Sequence, residues 1–282
     1  MPKKLRDACQ EVLGEVLETS FRGWDHAESR VWRVVARRQT AYLKQHRQPL
    51  KHKQEYRAYT EWLPRLPDIT PKLLADFEDS LLLSEVPGEL VEDKERRDED
   101  VRDLYRQAGA FLQELHDLPF VYEDEMTLAE AFVRRTEAWT GRVGDILSAD
   151  DVAWVKARVA EALPILKNYK RVPCHRDYTA RNWLADDGKL HVIDFEHSRP
   201  DLWFLDIERL WSDVWHERSD LAEAFWEGYG RGLSAEETWV LERLAALNAL
   251  STVVWAREHG DVGFEARGRA RLERLKVGGA RA

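Results

Sequence analysis

"VPCHRDYTARNWLADDGKLHVIDFEHS", residues 172–198, decides how this chain is read. It gathers three His, four Asp and one Asn among apolar runs suited to strands. "VPCH", "NWLAD" and "KLHVIDF" carry the strand character, and Asp187-Gly188 is a hairpin turn signal between the last two. His175, Asp177, Asn182 and Asp194 fall in the order H-x-D-x4-N-x11-D, with Asp194 ending the apolar strand "LHVID". Carboxylate and amide oxygens are the hard ligands that Mg2+ prefers, and it takes one or two of them together with substrate phosphates. Asn182 and Asp194 suit that role.

Outward from this stretch the periodicity becomes helical. Residues 98–117, 126–147, 150–170 and nearly all of 203–277 repeat their apolar positions at helical spacing, so the quoted stretch is a β island within a helical region. The N-terminal part differs. "MPKKLRDACQEVLGEVLE" predicts an amphipathic helix, and "VWRVVARRQTAYLKQH" (31–46) predicts an antiparallel pair. Tyr56, Tyr59 and Leu63 then recur at helical intervals up to Pro64 and Pro67. Two short strands follow in "PKLLADFEDSLLLSEVPGE" and stop at Pro87-Gly88. Residues 1–86 thus form a small α+β lobe and 87–282 a larger, mostly helical one.

Composition narrows the function. A chain of 282 residues with 44% hydrophobic and 34% charged residues folds around a sizeable core. Its net charge of −9 opposes nucleic-acid binding, which needs a dense basic stripe, and suits a cationic partner or simple solubility. Cys9 and Cys174 make neither a disulfide framework nor a CxxC zinc site, so a cytoplasmic location is expected. No uncharged run approaches the roughly 20 residues of a membrane span.

"HRDYTARN" followed by "IDFE" resembles the catalytic and metal loops of the aminoglycoside phosphotransferase and choline kinase-like family, relatives of the protein kinases. "LLLSEVPGE" resembles that family's interlobe hinge, and "LWFLDIERL" its helix with a structural Asp, here Asp206. The resemblance implies a two-lobed, protein kinase-like α+β fold and transfer of the γ-phosphoryl group of ATP or GTP to a small-molecule hydroxyl. Asp177 would orient the acceptor and take its proton, Asn182 and Asp194 would hold Mg2+, and His175 would brace the loop. It places the phosphate-binding lysine at Lys44 in "AYLKQH". Glu55, one turn before the tyrosines, is the carboxylate expected to fix it, in preference to Glu61 near the helix end. Backbone groups of Ser84 and Val86 would meet the adenine. "FRGWDHAESRVW" has one glycine and no GxGxxG, so residues from Gly23 to Ser29 would cover the phosphates in another way.

Taken singly, these residues have plainer explanations. Lysines at strand ends and glutamates on helices are usually solvated; Asp187 serves its turn, Asp206 caps or braces a helix, His191 is a half-exposed sheet residue, and Trp183 and Trp203 belong to the core. The set in one order points to an enzyme. Two rivals are a silent kinase-fold regulator and a hydrolase using His175, Asp177, His191 and His197 as metal ligands. An ordinary protein kinase is disfavoured by DFE in place of DFG, by the lack of an APE segment and by the eight residues, 195–202, before the next helix. Asp213, Glu217, Asp220 and Glu227 could steer an amine-bearing acceptor, and equally could be solvated helix faces.

Overall fold

A computed structural model describes residues 1–22, 29–66, 68–92, 95–120 and 126–279. The chain is β-rich at its N-terminal end and mostly helical beyond it, as its sequence pattern indicates. Its contacts divide it into two units: residues 1–118, 173–199 and 219–230, and residues 119–172, 200–218 and 231–282.

The first unit opens with helix α1 (Lys3–Leu13), which buries Leu5, Cys9 and Leu13 on one face. The helix ends earlier than its apolar pattern suggests, because Gly14 takes φ +78° and turns the chain into an unanticipated strand, β1 (Val16–Phe21). β1 escaped detection because it is an edge strand with Leu17 and Phe21 exposed, so it lacks the alternation that marks a half-buried strand. The expected hairpin follows as β2 (Ser29–Ala36) and β3 (Thr40–His46), paired with Val31 opposite Lys44. Strands β4 (Leu73–Phe77) and β5 (Ser80–Ser84) complete a five-stranded sheet in the order β1-β2-β3-β5-β4. Trp32, Val34, Ala41, Leu43 and Leu82 from this sheet pack with the apolar face of α1.

Between β3 and β4 runs α2 (Pro49–Arg57), started by a proline whose missing N–H costs nothing at that position. It continues through a wide turn over Ala58–Trp62 and a tight one over Leu63–Arg65. Tyr59 and Leu63 face the core, but Tyr56, expected beside them, is 38% exposed. The inward position is taken by Glu55, four residues before Tyr59, for an electrostatic reason given below.

The β island is a three-stranded sheet. Strand β6 (Glu89–Leu90), which follows the Pro-Gly and was not foreseen, pairs with β8 (Trp183–Asp186), and β8 pairs with β9 (Lys189–Val192). Asp187 and Gly188 turn between them with φ +46° and +78°, as the Asp-Gly signal requires. The strands β7 (Val172–Cys174) and β10 (Arg199–Asp201) lie where the chain passes from one unit to the other. β9 stops at Val192, two residues before Asp194, so Asp194 is not a strand residue and its geometry relative to His191 is not set by strand alternation. His191 is buried rather than half-exposed, and burial lowers its pKa.

Helix α3 (Asp98–His116) supports the island. It is crossed closely by a second helix of this unit, Ser219–Tyr229. Glycines make the crossing possible: a Cβ on Gly228 would sit 1.8 Å from the Arg106 carbonyl oxygen, and one on Gly109 would sit 2.1 Å from that of Phe225. Gly228→Ala is therefore expected to destabilise the protein by about 1–3 kcal/mol or more, since backbone and not a yielding side chain is in the way. A denaturant midpoint equal to wild type would contradict this packing.

In the second unit, α4 (Leu128–Thr140), α5 (Ala149–Leu166), α6 (Glu208–Asp213), the helix Ala235–His259 and the helix Val262–Gly279 pack on one another. Three N-termini carry reciprocal caps: Thr127 with Glu130, Ser148 with Asp151, and Ser234 with Glu237. Glu237 also accepts the indole N–H of buried Trp203 at 2.9 Å. Asp206 is buried between the short turn Trp203–Leu205 and α6. Among the described residues, no helix is long and apolar enough to cross a membrane.

Candidate active site

The loop after β7 is built on its own backbone. His175 is fully buried, and both its ring nitrogens are spent on the main chain: Nε2–H donates to the Ile193 carbonyl at 3.0 Å, and Nδ1 accepts from the Asp177 N–H at 3.3 Å. That pair of bonds defines a neutral imidazole protonated on Nε2. Its ring packs on Phe195, 4.5 Å between centroids, and on Tyr178 at 5.5 Å. Arg176 turns the chain between them with φ +67°. Tyr178 then anchors the loop to α3 by donating its hydroxyl to the Ala108 carbonyl at 2.8 Å, next to the glycine crossing. These contacts tie the His175 ring to the backbone of both ends of the loop pair.

Asp177 is buried to 6% exposure and held by the residues that follow it. Asn182, at the end of the tight turn Ala180–Asn182, donates its amide nitrogen to the Asp177 carbonyl at 2.8 Å and to Oδ2 at 2.9 Å. Arg181 donates Nη2 to both carboxylate oxygens, at 2.9 and 2.7 Å. With its nitrogen engaged, Asn182 turns its amide oxygen away from Asp177, and that oxygen has no hydrogen bond among the described residues.

The second loop is fastened to the first through Ile193. Its N–H donates to the Asn182 carbonyl at 3.0 Å, and its own carbonyl takes His175. Asp194 follows in the left-handed conformation, φ +69°, which a non-glycine residue keeps only when its surroundings hold it there. Those surroundings are Ile193 on one side and, on the other, Phe195, whose N–H donates to Glu55 at 3.1 Å and whose ring is fully buried.

Lys44, on β3, is where the second loop and α2 meet the sheet. Its ammonium lies 3.0 Å from Glu55, 2.5 Å from Asp194 and 3.0 Å from Glu196, and its side chain is 8% exposed. Burial works against the charge, but the three carboxylates outweigh it and hold the lysine well above its ordinary pKa. Glu55 is fully buried. Burial alone would raise its pKa, but Lys44 and the His46 imidazole, which donates Nε2–H at 2.6 Å, lower it. Glu196 is likewise depressed: its burial is outweighed by Lys44 and by bonds from His197 and Ser29. Lys44 and Glu55 thus pair, and Glu61 lies on the exposed side against Arg57.

Because Glu55 ionises more readily in the folded chain than in the unfolded one, its contribution to stability is complete above about pH 4.3 and is lost as pH falls through the depressed folded value. The acid limb of a pH–stability profile should be steeper in wild type than in Glu55→Gln. Parallel profiles from denaturation at each pH would contradict it.

Several expectations met different surroundings. The Ser84 N–H is committed to the Lys72 carbonyl at 2.8 Å, and its hydroxyl accepts the Lys72 N–H at 2.9 Å; Val86 follows, half-buried. Gly23 to Glu28, the phosphate-covering segment, lies outside the described residues. Asp206 belongs to the second unit. Asp213 pairs with Arg271 and Arg274, and Glu227 with Arg106 at 2.8 Å, so both are engaged within their own units. The hydrolase set does not assemble: His175 has no nitrogen left, and Nδ1 of His197 faces the Lys51 ammonium at 2.6 Å. His46, Glu55 and Glu196 offer ligand atoms within 4.8 Å of one another, but the Lys44 ammonium already lies 3.0 Å from both carboxylates, which makes this an ion-pair pocket.

The structure adds four residues to the site: Glu196, Ser29, His46 and Arg181. The third letter of "DFE" signalled only that DFG was missing, whereas Glu196 reaches Lys44 and accepts a short bond from Ser29. Arg181 had a legible signal, standing four residues after Asp177.

Comparison with known proteins gives the family and the fold. The sequence profile of the phosphotransferase enzyme family matches residues 22–247. Among curated proteins no sequence matches the chain. Solved structures match along nearly its whole length. The ADP-bound aminoglycoside phosphotransferase APH(2'')-Ib is 15% identical with a TM-score of 0.70, covering 98% of each chain. APH(2'')-IIia in complex with GDP and kanamycin is 14% identical with a TM-score of 0.75, again covering 98% of each. An ethanolamine kinase of Plasmodium vivax is 15% identical with a TM-score of 0.69, covering 98% of this chain and 89% of the other. At these identities the likeness is one of fold, the two-lobed kinase-like α+β fold.

Proposed function

From the fact that this chain belongs to the phosphotransferase enzyme family, we propose that it transfers the γ-phosphoryl group of ATP or GTP to a hydroxyl of a small molecule at the Asp177 loop. The observation that carries the reading is the clasp of Lys44 between Glu55 and Asp194, with Asn182 tied through Ile193 to the same loop and to Asp177. A lysine so fixed presents its charge at one place, which is what binding a phosphate requires. Asp177 would accept the acceptor's proton, oriented by Asn182 and Arg181.

Asn182 and Asp194 fit a hard divalent cation. The Asn182 amide oxygen and Asp194 Oδ2 are oxygens without hydrogen bonds among the described residues, and Asp194 is 35% exposed. Glu196 stands close enough to Lys44 to join the same charge cluster. Bound Mg2+ would neutralise the phosphate oxygens as charge shifts during transfer. The nucleotide-binding lobe would be residues 1–86, with Ser84 and Val86 near the base, and the catalytic lobe 87–282.

For the acceptor we favour an amine-bearing alcohol such as an aminoglycoside, an amino sugar or an amino alcohol. Structural neighbours in complex with kanamycin and an ethanolamine kinase support this class, and so does the net charge of −9. The test is nucleotide consumption by the pure protein across amines, sugars and antibiotics, with Asp177→Asn as the blank. Consumption that needs both an acceptor and Asp177 is expected. ATP or GTP binding without turnover on any acceptor would favour the silent regulator.

A further inference from the structure

Arg181 is more than a prop for Asp177. One nitrogen, Nη2, makes both of its bonds to the carboxylate, at 2.9 and 2.7 Å. A guanidinium carries five N–H donors in a rigid plane, so this grip uses only two. The Nη1 pair and Nε–H have no partner among the described residues. A structural arginine paired with a carboxylate usually spends two nitrogens in a parallel fork. Here the second half of the fork is left over.

The arginine is also the more accessible partner of the pair. The Arg181 side chain is 43% exposed, whereas that of Asp177 is 8% exposed, so the carboxylate is the inner partner and the guanidinium the outer one. Asp194 and Glu92, beyond Asp177, also favour the charged form of the same cation. Asp177 does not depend on Arg181 alone for its orientation, because Asn182 holds Oδ2 independently.

We propose that Arg181 is a catalytic residue, a cation supplied in cis whose free Nη1 and Nε donors contact the phosphoryl group in transit from nucleotide to acceptor. The proposal rests on the phosphotransferase reading above. In the step, the acceptor oxygen forms a bond to Pγ, and its proton passes to Asp177. The bond from Pγ to the bridging oxygen breaks, with its electron pair leaving on the nucleoside diphosphate. Arg181 stays protonated throughout and stabilises charge on the transferred oxygens, the task for which a planar fork is better suited than a lysine.

The experiment compares wild type, Arg181→Gln, Arg181→Lys, Asp177→Asn and the double variant Asp177→Asn/Arg181→Gln under single-turnover conditions, with the best acceptor from the panel and ATP or GTP. Arg181→Gln should lower kcat by about tenfold or more with nucleotide KM within about twofold of wild type, and Arg181→Lys should recover part of the loss. The double variant should be slower than Asp177→Asn, because the arginine acts on the phosphoryl group and not only through the base. A double variant no slower than Asp177→Asn, or Arg181→Gln with wild-type kcat, overturns the proposal while leaving the phosphotransferase reading intact. Wild-type turnover in Asp177→Asn overturns both.

Discussion

Asp177→Asn should lose about 10²- to 10⁴-fold in kcat, the usual contribution of a positioned proton acceptor, while its nucleotide affinity stays near that of wild type. Asparagine keeps the shape of the side chain and leaves one oxygen for Arg181 or for the Asn182 amide, so the loop should remain in place. What it removes is the ability to take a proton. Because His175 grips the main chain of Asp177 and Ile193, and Tyr178 grips Ala108, the loop does not rely on the carboxylate for its fold. Steady-state kinetics with calorimetric nucleotide binding separate the two effects. Loss of binding along with turnover would assign Asp177 to the scaffold, and unchanged turnover would remove it from the reaction.

Lys44→Met should be costly in a different way. Among the described residues the lysine is the one cation bonded to Glu55, Asp194 and Glu196 together, and Glu55 has no exposure to water. Removing one partner of a buried ion pair typically costs about 3–5 kcal/mol, since the remaining charge is left without compensation. In the variant the carboxylates face one another with His46 as the nearest donor to Glu55, and the pKa values of Glu55 and Glu196 should rise. The stability deficit against wild type is therefore expected to shrink as pH is lowered and the carboxylates take up protons. Lys44→Met/Glu55→Gln should recover part of it at neutral pH. A single variant as stable as wild type would mean that Lys44 is solvated after all. Turnover should fall as well, because the phosphate-binding charge is gone.

The contrast between what the sequence disclosed and what it withheld follows from where each residue finds its partners. The Asp177 loop was legible because its residues stand in fixed local order and hold one another: Asn182 bonds Asp177 five residues away, and the Asp187-Gly188 turn fixes the hairpin that leads to Asp194. The Lys44 and Glu55 pair, 11 residues apart, was reached through the family resemblance, since a strand-end lysine and a helix glutamate taken singly are usually solvated. Glu196 was not, since its partners are Lys44 and Ser29, the latter 167 residues away, and no local pattern reports such a contact. Nor was β1, whose exposed Leu17 and Phe21 break the alternation that identifies strands. Tyr56 was misplaced because an apolar ring at helical spacing was expected inward, whereas the buried position belongs to a glutamate with a lysine and a histidine to meet it. Arg181 stands four residues from Asp177, and the tight turn over Ala180–Asn182 brings its cation back to the carboxylate.

The most direct test of a metal-assisted phosphoryl site at Asp194 is calorimetric titration of a non-hydrolysable ATP or GTP analogue into wild type and Asp194→Ala, each with Mg2+ and with a chelator. Wild type should bind about tenfold or more tightly when Mg2+ is present, a difference of about 1.4 kcal/mol at least, and Asp194→Ala should lose that gain. Equal binding by both proteins, indifferent to the metal, would contradict the account.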